Sequence, residues 1–133
     1  MRRVVITGMG VVSALGEGAA AHCAALEAGR SGVKEMSITG IERLQVTIGG
    51  QADFFVGEDR FTRSELALYD RTTQLALVAA AEAVESAGLV LTEEESLRAA
   101  TVIGTALTGM GTIDDAYRAV FEEGKNRVHP FVV

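Results

Sequence analysis

Proline is nearly missing from this chain, at 1 residue in 133, and aromatics make up only 5%. Against them stand 15 glycines, a balance that points to small-residue packing between closely spaced elements. The only cysteine is Cys23, so no intrachain disulfide is available and nothing suggests an oxidising compartment. Basic charge is also scarce: 12 Lys and Arg against 18 Asp and Glu leave a net charge of −6. Without a basic stripe to replace counterions, nucleic acid is excluded as a general partner. No long apolar run occurs, and the longest, Leu75 to Ala81, is far too short to span a bilayer. Two arginines precede an apolar start, but that run breaks at Thr7 and Gly8 with no cleavage site after it. It reads as a first strand, not a signal peptide. What remains is a globular composition, 48% hydrophobic, with the length of one domain and enough residues for a core. A cytoplasmic enzyme or part of one fits it.

The apolar pattern predicts alternating strands and helices. Arg3 to Thr7 is β-branched and does not alternate, as in a parallel strand covered on both faces. It enters a turn at Gly8 and Gly10. A helix is expected over Ala19 to Ala28, stopped by Gly29 in a left-handed cap. Val46-Thr47-Ile48 and Phe54-Phe55-Val56 are read as short strands. Arg71 to Ala87 is a helix apolar on most sides, which should be sandwiched between layers and end at Gly88, with Leu89 completing the cap. Thr92 and Glu95 form a capping box. Ala99 to Ala106 is a second strand running into Gly104, Gly109 and Gly111. Thr112 is expected to cap a following helix, with Asp114 and Asp115 in its first turn and Gly124 at its end.

The candidate sites are weak when each is taken alone. Gly8, Gly10 and Ser13 partly match a dinucleotide fingerprint, with Ser in place of the third glycine. The carboxylate expected on the ribose about 20 residues later is missing, so a tight turn packed against backbone is the better reading. His22 and Cys23 are neighbours, and neighbours on a helix do not face each other; Cys23 among alanines reads as a buried structural thiol. His22 and His129 lack the spacing of a metal site and read as surface or interface residues. Glu93 to Glu95 read as a solvated helix start and Asp114-Asp115 as capping. There is no Gly-x-Ser-x-Gly nucleophile elbow. No catalytic, metal or cofactor group is assembled by these residues.

Taken in order, several segments resemble the elongating β-ketoacyl-acyl-carrier-protein synthases. Arg3-Val-Val-Ile-Thr-Gly-Met-Gly-Val-Val-Ser13 is similar to their opening strand, and Ala25-Leu-Glu-Ala-Gly-Arg-Ser-Gly-Val33 to their next segment. Asp70 and Gln74, leading into the alanine-rich helix that ends Ser86-Ala-Gly-Leu89, resemble their second long helix. Val102-Ile-Gly-Thr-Ala-Leu-Thr-Gly-Met-Gly111 resembles a strand and loop, and His129-Pro-Phe-Val-Val133 the approach to a further buried helix. The resemblance covers the whole chain with short gaps.

It implies an α/β chain, an incomplete N-terminal part of a thiolase-like αβαβα fold with a mixed, mostly parallel sheet and covering helices. Residues 1–133 would be the first half of that domain, ending before the nucleophile. The implied reaction is a decarboxylating Claisen condensation of acyl and malonyl thioesters in fatty-acid or polyketide elongation, needing no cofactor. In the family a cysteine accepts the acyl chain, and two histidines and a lysine support decarboxylation and carbon–carbon bond formation. None of these has a counterpart here, and Cys23 falls at a packing position, so the chain alone should be inactive. Leu107 matches a loop position at the acyl pocket, and Phe131 and Val132 match a segment near the pocket wall and dimer interface. Arg63 and Arg71 keep charge where the family contacts the acidic acyl carrier protein, while Glu65, Ala67 and Leu68 depart from that basic pattern. The implied partners are acyl carrier protein and either a ketosynthase dimer or a missing C-terminal half. Two rivals stand beside this: a non-catalytic partner subunit of the chain-length-factor type or truncated paralogue, and a dinucleotide-binding domain.

Overall fold

The computed structural model describes residues 3–107 and 109–128. The chain divides into two compact units, Met1–Val56 with Ala76–Leu89, and Gly57–Leu75 with Val90–Val133. Phe131, Val132 and His129, all singled out in the sequence, lie outside the described residues.

The first unit begins with a minimal antiparallel pair, β1 (Val12–Ser13) and β2 (Gly16–Glu17). Helix α1 (Ala19–Glu27) follows, and Gly29, at φ 64°, ends it. The amides of Gly29 and Arg30 donate back to the carbonyls of Leu26 and Ala25, satisfying acceptors the last turn would leave open. β3 (Val33–Glu35) pairs antiparallel with β4 (Ile48–Gly50), with Lys34 opposite Gly49. Helix α3 (Arg71–Ala87) contributes its part from Ala76 onward. It ends as expected: Gly88 at φ 58°, its amide donating to Glu85 and that of Leu89 to Val84. The buried apolar residues here are Ala25 and Phe55.

The segment of Gly8 and Gly10 lies directly on α3. A Cβ on Gly8 would meet the carbonyl oxygen of Ala83, the amide of Ala87 at 2.6 Å and its Cβ at 2.8 Å. One on Gly10 would meet the Ala79 carbonyl oxygen and the Ala83 amide at 2.8 Å. Ala79, Ala83 and Ala87 recur every four residues and so share one helix face. Glycine on one side and alanine on the other bring two backbones together without side chains between them, as the scarcity of bulky residues suggested.

The second unit carries α2 (Arg63–Leu66), the first turn of α3, α4 (Glu93–Ser96) and α5 (Met110–Phe121). Both short helices open with full capping boxes, Thr62 with Glu65 and Thr92 with Glu95. A helix of four residues has almost no internal ladder, so these reciprocal bonds define it. Phe61 packs edge-on against Tyr69 with centroids 5.9 Å apart, and Ala116 is buried.

Several expectations are corrected. Arg3–Thr7 and Ala99–Ala106 form no strand, because a strand exists only through ladder bonds to a neighbour and none is present among the described residues. Their side chains lie open instead, with Val4 91%, Ile6 83% and Val102 90% exposed. Among the described residues the strands form two antiparallel pairs, where a mostly parallel sheet was expected. Phe54–Val56 is not a strand but runs from a turn at Asp53–Phe54 into irregular chain, with the Phe55 side chain buried, packing that a short apolar triplet does not distinguish from a strand. Of Val46-Thr47-Ile48 only Ile48 is in a strand, which continues into the two glycines. Helix α5 starts three residues earlier than expected: Gly109, at φ 67°, is its N-cap and Thr112 lies inside it. It ends at Phe121, short of Gly124. Helix α3 has no buried residue, so no layers sandwich it here.

Two outcomes follow for the chain as it stands. Exposed apolar side chains on this scale drive association, so sedimentation should show concentration-dependent oligomers and not a monodisperse monomer. Gly10→Ala forces a methyl into the α3 backbone and should destabilise the fold by about 1–3 kcal/mol, as overpacking does; the midpoint of urea unfolding reads it.

Candidate functional site

In the first unit, Glu82 organises the turn that follows Gly10. Its carboxylate accepts from the amide of Ala19 at 2.7 Å and from that of Val11 at 2.9 Å. The Ala19 amide opens α1, whose N-cap, Gly18, has no side chain to cap it. Glu82 therefore caps α1 from 63 residues away in the sequence. These two donors hold its carboxyl below the ordinary glutamate value of 4.5, Ala19 contributing most, against a smaller upward push from burial.

An open cleft of about 480 Å³ lies beside this turn, lined by Gly8, Met9, Gly10, Val11, Ala19, His22, Cys23 and Ala83. Ser13 Oγ lies 2.8 Å from His22 Nδ1 and also accepts from the Leu15 amide at 3.1 Å. His22 is thus tied to the β1–β2 pair, while the Cys23 thiol beside it is exposed. The expectation of a buried thiol is corrected: Ala25, two positions on, takes the buried place on α1. No group of three or more His, Cys, Asp or Glu able to hold a metal occurs among the described residues.

This geometry argues against phosphate binding. A dinucleotide cradle needs free amides at the helix N-terminus after the glycines. Here an ionised carboxylate occupies the Val11 and Ala19 amides, so a phosphate would meet like charge and taken donors.

In the second unit, Asp70 does similar work. Its Oδ1 accepts from the Thr73 amide at 2.7 Å, capping α3, and its Oδ2 lies close beside Gly109, where a Cβ would come within 3.3 Å of it. Burial pushes this carboxyl upward, but the donors from Thr73 and Gly109 outweigh it and leave the group below its ordinary value. Gln74 adds a bond from its side-chain amide to the Tyr69 carbonyl oxygen, at 2.8 Å. Leu107 is exposed at 76%, two positions before Gly109. Arg63, on α2, and Arg71, opening α3, are both exposed. Glu65, which breaks the basic pattern between them, spends its carboxylate on the Thr62 amide and hydroxyl.

Glu82 and the Ser13–His22 pair were not singled out in the sequence. Glu82 had one signal: it is the sole charge between Leu75 and Val84 in an apolar helix. The Ser13–His22 pair had none, because it depends on the turn conformation.

The amino-acid sequence matches a known class of protein along its whole length. Residues 1–133 match the family described as beta-ketoacyl synthase, N-terminal domain, and the chain belongs to that family. It is 35% identical over 132 residues to the 3-oxoacyl-acyl-carrier-protein synthase 2 of Staphylococcus aureus (strain COL), covering 99% of this chain and 32% of that protein. It is 39% identical over 123 residues to a putative polyketide beta-ketoacyl synthase 1 of Streptomyces halstedii, covering 92% of this chain and 29% of that protein. A third relative, the 3-oxoacyl-acyl-carrier-protein synthase 2 of Vibrio cholerae, is 30% identical over 132 residues, covering 99% of this chain and 32% of that protein. The chain thus spans about a third of the length of these curated relatives. Among the described residues, no helix is long and apolar enough to cross a membrane.

The Glu82 carboxyl has a lowered folded value, so its contribution is complete above 4.5 and is lost as pH falls through the folded value. Glu82→Gln should lower the melting temperature at pH 7 and flatten the loss of stability on acidification below pH 4.5, read by thermal melts across that range.

Proposed function

We propose that this chain is the N-terminal segment of a β-ketoacyl synthase domain that condenses acyl and malonyl thioesters carried on acyl carrier protein. In that reaction a malonyl thioester loses carbon dioxide. The resulting carbanion attacks the acyl thioester on an enzyme cysteine, forms a carbon–carbon bond and expels the thiolate. The observation that carries the reading is the family match along the whole of residues 1–133. The exposed apolar segments at Val4–Ile6 and Val102–Ile103 support it, since they fit strands completed by further chain or by a ketosynthase partner. The nucleophile and the histidine and lysine groups belong to regions beyond these residues in the reading. Leu107 is assigned to the acyl-pocket loop, with Phe131 and Val132 near the pocket wall. Arg63 and Arg71 are assigned to carrier-protein contact, and both stand at exposed positions.

One observation favours a second reading as a non-catalytic partner subunit: Glu65, Ala67 and Leu68 stand between Arg63 and Arg71 and thin out the basic patch. A chimera separates the two. Residues 1–133 should replace the N-terminal third of the Staphylococcus aureus synthase and keep malonyl-dependent condensation within about tenfold of the parent, roughly 1.4 kcal/mol in barrier. A folded, dimeric chimera without condensation would favour the partner-subunit reading. The 133-residue chain alone, incubated with an acyl thioester, should show no acyl adduct by intact mass; stoichiometric acylation of Cys23 would sink the assignment.

A further inference from the structure

Among the described residues β3 and β4 pair only with each other, so each strand keeps one open edge. The Met36 amide donates to the Thr47 carbonyl oxygen at 2.8 Å, and Lys34 stands opposite Gly49 in the same register. The ladder bonds therefore belong to Lys34, Met36, Thr47 and Gly49, and the alternate residues turn their amides and carbonyls away. Val33 and Glu35 face outward on β3, and Ile48 and Gly50 on β4.

The two edges differ in what they allow. Only outward residues exchange bonds across a new antiparallel pair. The central two-fold registers of β3 thus set Lys34 against Lys34, or Glu35 against Glu35, of a second copy, and like charges directly opposite destabilise. The Val33 amide is also spent already, on Ser31 Oγ at 3.1 Å. β4 has neither obstacle: Val46 to Gln51 carries no charge. A two-fold at Gly49 sets Ile48 of each copy opposite Gly50 of the other, a branched side chain against none. Ile48 and Val33 of both copies, 55% and 56% exposed in one chain, then share a face. On the other face Met36 lies against Gly49, its Sδ 2.6 Å from where a Cβ would stand.

We propose that the outer edge of β4 is a self-pairing surface, on which a second copy of this chain adds its own β4 antiparallel to make a four-stranded sheet. The contact is isologous and closes at two copies. Few residues take part, so it falls among the small, transient interfaces below about 1,200 Å² and forms at high concentration.

Disulfide trapping of the 133-residue chain in a Cys23→Ser background reads the register. In the proposed pair Thr47 of one copy faces Gln51 of the other at a position without ladder bonds, where Cα atoms stand about 4.5 Å apart, within disulfide reach. A mixture of Thr47→Cys and Gln51→Cys chains should cross-link several times faster than either chain alone, whose cysteines stand about 13 Å out of register. Gly50→Pro deletes an outward amide and spares the β3 ladder; a Cβ there meets Ala14 at 3.4 Å, an ordinary contact. Ile48→Lys puts a charge on the edge. Each, added to both cysteine chains, should abolish the mixed product, whereas Ile6→Lys, in another exposed apolar run, should leave it unchanged. Thermal melts verify folding, and if Gly50→Pro does not fold, Ile48→Lys carries the comparison. Equal cross-linking in the mixture and in the separate chains overturns the proposal. So does a mixed product that survives in folded edge variants or is lost with Ile6→Lys.

Discussion

The first unit depends on two backbones meeting without side chains between them. Gly8 and Gly10 lie on the face of α3 formed by Ala79, Ala83 and Ala87, so close that a methyl at either glycine would collide with helix backbone. That approach brings the next turn within reach of Glu82, whose carboxylate takes the Val11 and Ala19 amides. The start of α1, the β1–β2 pair and the tethering of His22 by Ser13 all follow from where that turn is held. Separating the two backbones by even a methyl would move the turn away from Glu82 and leave the first amide of α1 without its acceptor.

The same physics recurs in the second unit with a different carboxylate. Asp70 caps α3 through the Thr73 amide, and its Oδ2 lies beside Gly109 at the start of α5, within 3.3 Å of where a Cβ would stand. Both helices that follow a glycine turn, α1 after Gly18 and α5 after Gly109, lack a side-chain cap at the N-cap position, and α1 takes one from the distant Glu82. A glycine at the N-cap position frees the backbone to adopt φ 92° or 67° but supplies no acceptor. For α1 the acceptor comes from elsewhere in the fold, from Glu82, and this makes that helix start a product of tertiary structure.

That division explains what could be read from the sequence. The ends of α1 and α3 were legible because Gly29 and Gly88 close them with bonds to the preceding turn, a wholly local arrangement. The Thr92–Glu95 box was legible for the same reason. The start of α5 was not: Thr112 had the right chemistry for a cap, but the N-cap is Gly109, which has no side chain to cap with. Cys23 was placed inside because its neighbours are alanines, yet a nine-residue helix has one buried position, and Ala25 holds it. The resemblance of ordered segments carried the family where no single motif did, and the match over residues 1–133 agrees with it. The exposed places of Leu107, Arg63 and Arg71 were beyond periodicity, since polar and apolar residues alike are open to solvent in these units.

The opening run of Val4, Val5 and Ile6 shows why pattern and structure part company. β-branched residues in an unbroken apolar run describe a strand with neighbours on both sides and layers on both faces. The preference resides in those neighbours, not in the run, and among the described residues none pairs with it. Its side chains therefore stand 64–91% exposed, while the glycines that follow are already seated on α3. The seat is made within one unit by backbone contact, and it does not need the sheet. The strand does need it, which is why the turn at Gly8 and Gly10 is formed here and the strand that should lead into it is not. The glycines thus serve packing rather than phosphate: the amides that an anion would require are filled by Glu82, and the carboxylate that fills them is the one that holds the turn in place.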